Sequence, residues 1–130
     1  MKAVVWVLLV SFCCSNGCTD APPEAYEAGK CYEAVLIKTF CPSIAEVSVT
    51  NANIGVDWDW NGKSYKHVLT LLNYSIAASI TEKTSIYFTI NVDATRKGET
   101  CSLVLPCPFT NALVPDKGVC ANYIATKPCP

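Results

Sequence analysis

The chain has 130 residues, a length that suits one domain, with 51% hydrophobic residues and nine cysteines. Ten basic residues stand against eleven acidic ones, for a formal net charge of −1. With no basic run, this balance argues against nucleic acid and against acidic membrane surfaces as partners.

The first residues read as a secretory signal peptide spanning 1–17. Lys2 is the only charge before Asp20, Ala3 to Cys14 is an apolar run, and Ser15-Asn16-Gly17 supplies small or polar residues at the cut site. The apolar run is shorter than the roughly 20 residues a membrane-spanning helix needs. Cleavage after Gly17 is expected, with cleavage after Ala21 as the other option. No later segment reads as transmembrane, so the protein is expected to be secreted, extracellular or lumenal. In that compartment Cys31, Cys41, Cys101, Cys107, Cys120 and Cys129 are expected to form disulfides. Their pairing is open on sequence grounds. Cys18 makes the count odd. It stays free, pairs with another chain, or is lost with a later cut.

Residues 18–30 form a polar leader with Pro22-Pro23. The domain core is expected over 31–107. Tyr32 to Phe40 is short, apolar and closed by Cys41-Pro42, and predicts a strand. From Glu46 to Trp60, Val47 and Val49 alternate with polar residues, as do Val56, Trp58 and Trp60. Period two is the strand signature, and Asn51-Ala52-Asn53 marks a bend or bulge between the two halves. Asn61-Gly62 is the strongest hairpin signal in the chain. It favours strand over helix for the ambiguous run from His67 to Leu72. Ser85 to Val92 alternates cleanly, with Ile86, Phe88, Ile90 and Val92 on one side. Asp93 to Thr100 is polar and reads as a turn, and Cys101 to Leu105 as a last strand. Residues 108–130, rich in proline and cysteine, are expected to be an irregular tail pinned by disulfides. Strands with almost no helix signal predict an all-β domain, a sandwich or a barrel.

Few residues carry catalytic promise. His67 is the only histidine, no Gly-x-Ser-x-Gly elbow accompanies it, and it reads as a surface residue. Asp57 and Asp59 share a strand face, but no further oxygen-ligand motif follows them. They read as a solvated face opposite Val56, Trp58 and Trp60. The Cys101/Cys107 and Cys120/Cys129 spacings do not match zinc patterns. No metal, cofactor or enzymatic activity is expected. Asn73-Tyr74-Ser75 is an N-glycosylation motif, which places the Asn73 side chain in water if it is used. Trp58 and Trp60 are a large apolar load on one face: core, the wall of a ligand site, or an exposed contact patch.

Asn61-Gly62-Lys63-Ser64-Tyr65 is a turn leading into a strand. Ser85 to Asp93 is a long alternating strand, and Gly98 to Pro106 places a cysteine in a strand followed by apolar residues. Together these segments resemble the later half of the ML lipid-recognition domain. The likeness covers roughly a third of the chain. The region before the turn is shorter than in that family, and a tail with Cys107, Cys120 and Cys129 follows where the family ends. The resemblance implies an immunoglobulin-like β-sandwich with a lipid between its two sheets, and a Cys31–Cys101 disulfide. It implies a hydrophobic ligand such as a sterol or fatty acid. Ile86, Phe88, Ile90, Val92, Trp58, Trp60 and Leu69 are then the expected ligand-binding residues. The competing expectation is a protein-binding module that contacts an extracellular partner through the residues from Cys107 onward.

Overall fold

A computed structural model describes residues 25–40, 44–73, 80–97, 101 and 118–130. The expected signal peptide, Cys18, Cys41, Cys107, the strand expected after Cys101 and the first part of the tail lie outside these residues. The described chain is mostly antiparallel β-sheet. Its strands are β1 (Tyr32–Phe40), β2 (Ile44–Val49), β3 (Val56–Trp60), β4 (Lys63–Leu71), β5 (Ser85–Ile90) and β6 (Ala121–Ala125), with one short helix, α1 (Val92–Lys97). They form a single sheet in the order β3-β4-β2-β1-β5-β6.

Alternation builds the main core. Tyr32, Ala34 and Leu36 of β1 share a face with Val47 and Val49 of β2, Leu69 and Leu71 of β4, and Ile86, Phe88 and Ile90 of β5. Tyr32 pairs with Phe88 in the ladder, and their rings stack at 5.6 Å. Such a ring pair contributes about 0.5–1.5 kcal/mol beyond its buried area. Ala45, Ile54, Val92, Val119, Ala121 and Ile124 complete this cluster.

Three secondary-structure expectations need correction. The strand expected over Ser85 to Val92 stops at Ile90, and Val92–Lys97, covering its last residue and part of the turn expected over Asp93 to Thr100, is helical. Asn91 caps that helix, because its Oδ1 accepts from the Ala94 N–H at 3.1 Å. Val92 therefore enters the core from the first turn of a helix. The tail is also not irregular throughout, since Ala121–Ala125 pairs with β5 as an edge strand.

The sheet does not lie flat. Leu36 pairs with Val47 and Lys38 with Glu46, so Ile37 is an extra residue in β1. The bulge reverses the alternation. Residues before it point into the core, whereas Lys38 and Phe40 emerge on the opposite face. A second bulge lies in β4, where Val56 pairs with Val68 but Trp58 with Tyr65, and His67 takes a φ of 53°. Lys38, Glu46 and Thr70 stand in one row across the sheet. In a flat sheet, Tyr65 and its partner Trp58 would lie about seven residues from the level of Phe40, roughly 23 Å away. Yet the Trp58 ring centroid is 6.5 Å from that of Phe40, and Trp60 is at 5.5 Å. The β3–β4 hairpin therefore folds back across the second face of its own sheet. Beneath that second face Ile44, Glu46, Val68 and Thr70 are buried.

Gly55 stands at the root of the hairpin. Its φ is 88°, and a Cβ there would sit 2.3 Å from the Val68 carbonyl oxygen. Only glycine fits so close a crossing.

Among the described residues, two disulfides tie the sheet. Cys31 bonds Cys129, with Cα atoms 5.8 Å apart, and fastens the end of the chain to the start of β1. Cys101 bonds Cys120 just ahead of β6, with Cα atoms 5.7 Å apart. The Cys31–Cys101 pairing implied by the ML resemblance is thus replaced by two bonds that both use cysteines of the C-terminal segment.

Candidate functional site

The folded hairpin brings together side chains that are far apart in sequence. Trp58 and Trp60, two residues apart on β3, stack at 5.1 Å with an interplanar angle of 18°. Phe40 meets both rings edge-on. Tyr65 lies 6.4 Å from Trp58 across the hairpin. Trp58, Trp60, Phe40 and Tyr65 are all half-buried.

Beside this aromatic group lies a cleft of about 320 Å³. Trp60, Asn61, Lys63 and Tyr65 line it from the hairpin, Ile37 and Lys38 from β1, and Glu82 and Lys83 from the turn before β5. The Ile37 bulge is what turns Lys38 toward this side. Lys38 Nζ and Glu82 Oε1 form an ion pair at 2.9 Å. Lys63 Nζ stands 5.0 Å from the centre of the Tyr65 ring. Lys83 has a φ of 66°, and its backbone N–H donates to the Leu36 carbonyl at 2.8 Å. That bond anchors the 82–83 turn on β1, next to the bulge.

The seven expected ligand residues separate into two groups. Ile86, Phe88, Ile90, Val92 and Leu69 belong to the core cluster on the first face. Of these only Val92 is more than marginally exposed, at 7%. Trp58 and Trp60 stand on the other face, with Trp60 lining the cleft. Phe40, Tyr65 and the lysines of the cleft were not among the residues expected from sequence. No local signal joins Lys38 to Glu82 or Trp60 to Phe40, because the contacts depend on two bulges and a refolded hairpin.

The remaining candidates are placed as follows. Asp57 pairs with Lys66, and the Ser64 hydroxyl donates to Asp59. Both aspartates are exposed. Among the described residues, no group of three or more His, Cys, Asp or Glu side chains is placed to hold a metal. Glu46 and Thr70 form a buried pair on the second face, with the Thr70 hydroxyl 3.0 and 2.9 Å from the two carboxylate oxygens. Asn73 is buried instead of facing water. It is only 7% exposed, and its amide is bonded to the backbone of Ala121. No helix among the described residues is long and apolar enough to cross a membrane.

No family model, curated protein or solved structure matches this chain.

Proposed function

We propose that this is a secreted protein that binds a hydrophobic small molecule, seated between the β3–β4 hairpin and β1. The observation that carries the reading is the Trp58–Trp60 stack. Two indoles remain half-buried on the second face, beside a cleft of about 320 Å³, while the main core closes without them. Apolar surface of that size gains roughly 25 cal/mol per Å² when a ligand covers it. The cleft lies at the lower end of the range of small-molecule pockets, about 300–1,000 Å³. The reading keeps the principle of the ML resemblance, a ligand between two β-layers. It moves the ligand from the Ile86–Ile90 face to the hairpin face. The two disulfides fit a chain that matures in an oxidising compartment.

The test uses two measurements on the secreted protein. Native mass spectrometry should show a co-purifying small molecule. After signal cleavage at Gly17, Trp58 and Trp60 are the only tryptophans left, since the third is Trp6. Intrinsic fluorescence then reports on the site alone, and it should change on titration with a fatty acid or a sterol. Protein at its bare mass, with fluorescence indifferent to both lipids, would remove this reading and favour an extracellular protein partner.

A further inference from the structure

We infer that the cleft selects an anionic ligand: a small single-chain amphiphile with a carboxylate head, not a neutral lipid. This inference rests on the hydrophobic-ligand reading above and adds the charge of the head group.

The chain as a whole is slightly acidic, at −1, but the cleft is not. It gathers Lys38, Lys63 and Lys83 against Glu82 alone. The Lys38–Glu82 ion pair balances one of the three lysines. Lys63 and Lys83 have no ion-pair partner among the described residues. Both are set by the fold. The Lys63 ammonium lies over the Tyr65 ring at the cleft wall. The root of Lys83 is fixed by its backbone bond to Leu36.

Such an arrangement discriminates between ligands. A neutral lipid covering Trp60 would take water from two ammonium groups without supplying a counter-charge, which is unfavourable. A carboxylate between Lys63 and Lys83 supplies it and gains charge-assisted hydrogen bonds. The apolar body then lies on Trp60, with Trp58 and Phe40 behind. A cleft this small suits one short chain and not a two-chain lipid.

The experiment titrates the secreted protein with decanoate and with decanol, both below their aggregation thresholds, and reads tryptophan fluorescence. The variants are Lys63→Gln, Lys83→Gln and the pair. Lys83→Arg is the charge-preserving control. Decanoate should bind roughly fivefold or more tightly than decanol, a ratio that shrinks with added salt. The double variant should bring the two affinities together, and Lys83→Arg should keep them apart. Melting curves of the variants should overlay the wild type, because both lysines are exposed. Equal binding of decanoate and decanol would overturn the anionic preference and leave the hydrophobic site standing. Decanoate binding that the double variant leaves unchanged would overturn the assignment to these lysines. No response to either compound would overturn the hydrophobic-ligand reading, and this inference with it.

Discussion

Asn73 and Ala121 exchange two hydrogen bonds across 48 residues of chain. Asn73 Nδ2 donates to the Ala121 carbonyl at 2.7 Å, and the Ala121 N–H donates to Asn73 Oδ1 at 2.9 Å. The side-chain amide thus acts as a short piece of strand that receives the start of β6. It also occupies the nitrogen to which a glycan would be attached. The folded protein is expected to carry no sugar at Asn73, so glycosidase treatment should leave its mass unchanged. Asn73→Ala strips the partner from two buried backbone groups and should cost about 1–3 kcal/mol in denaturant melts. Ser75→Ala abolishes the glycosylation motif while keeping the Asn73 amide, and should have the same mass before and after glycosidase treatment. A glycan on Asn73 of folded protein would refute the latch.

Phe88 lies in the main core on the first face of the sheet. It is fully buried, stacked on Tyr32, and part of the core cluster. Phe88→Ala should therefore open a cavity and cost roughly 3–5 kcal/mol. If the ligand lies on the other face, this loss should be the same with and without decanoate once binding to the native state is allowed for. A mutant restored specifically by a lipid would place the ligand in the Ile86–Ile90 core.

Gly55 is the tightest point in the hairpin's return over the sheet. Gly55→Ala combines an unfavourable φ with a Cβ placed against the Val68 carbonyl. The strained φ alone costs about 1–3 kcal/mol, and the close contact adds to it. Gly62 offers a contrast, since nothing stands within 4 Å of a Cβ there. Gly62→Ala should show only the φ penalty. Equal melting temperatures for the two variants would show that Gly55 is not pressed against β4.

Disulfide mapping checks the connectivity directly. Non-reducing proteolysis should release a peptide pair joining Cys31 to Cys129 and another joining Cys101 to Cys120. The first bridge spans 98 residues. In the chain-entropy account such a long loop is where a crosslink constrains the unfolded chain most. Cys31→Ala/Cys129→Ala should therefore lower stability by about 2–5 kcal/mol. A Cys31–Cys101 peptide would restore the ML-like pairing and contradict the arrangement of β6.

The pattern of legibility follows from how local each feature is. β1, β5 and the Asn61-Gly62 hairpin were readable because alternation and turn chemistry act within a few residues. Both turn residues indeed have positive φ, 50° and 72°, as a two-residue hairpin of that type requires. The helix after Asn91 was missed because a capped turn of helix and a polar turn have similar compositions. β6 was hidden by the prolines and cysteines around it, although Ala121 and Ile124 are buried in the sheet. The site itself was half legible. Trp58 and Trp60 stand out in any reading of β3, but whether they meet core or cleft depends on the extra residue at Ile37 and the turn of β4 at His67. Neither bulge leaves a compositional mark. Lys38, Lys63 and Lys83 become one group only after the hairpin has folded over.

The Trp60 side chain tests the hairpin and the site together. It stacks on Trp58, meets Phe40 edge-on and lines the cleft, yet it is only half-buried. Removing a ring that neighbours enclose on one side opens no sealed cavity, so Trp60→Ala should cost less than Phe88→Ala, about 1–2 kcal/mol. Its effect on binding should be larger. The ligand would lose the surface on which its apolar part lies, and affinity for decanoate should fall roughly tenfold or more, the equivalent of about 1.4 kcal/mol. Trp58 remains as a fluorescent reporter, so the titration can still be read. Trp60→Phe keeps an aromatic surface and should recover part of the loss. The opposite pattern has a clear meaning. If Trp60→Ala unfolds the domain as severely as Phe88→Ala, and Trp60→Phe binds decanoate no better than wild type binds decanol, the hairpin face is a second core. The tryptophans would then be there to hold the fold-over in place, and the search for a partner would move to the exposed edge of β3 and the cysteine-rich segment that ends in β6.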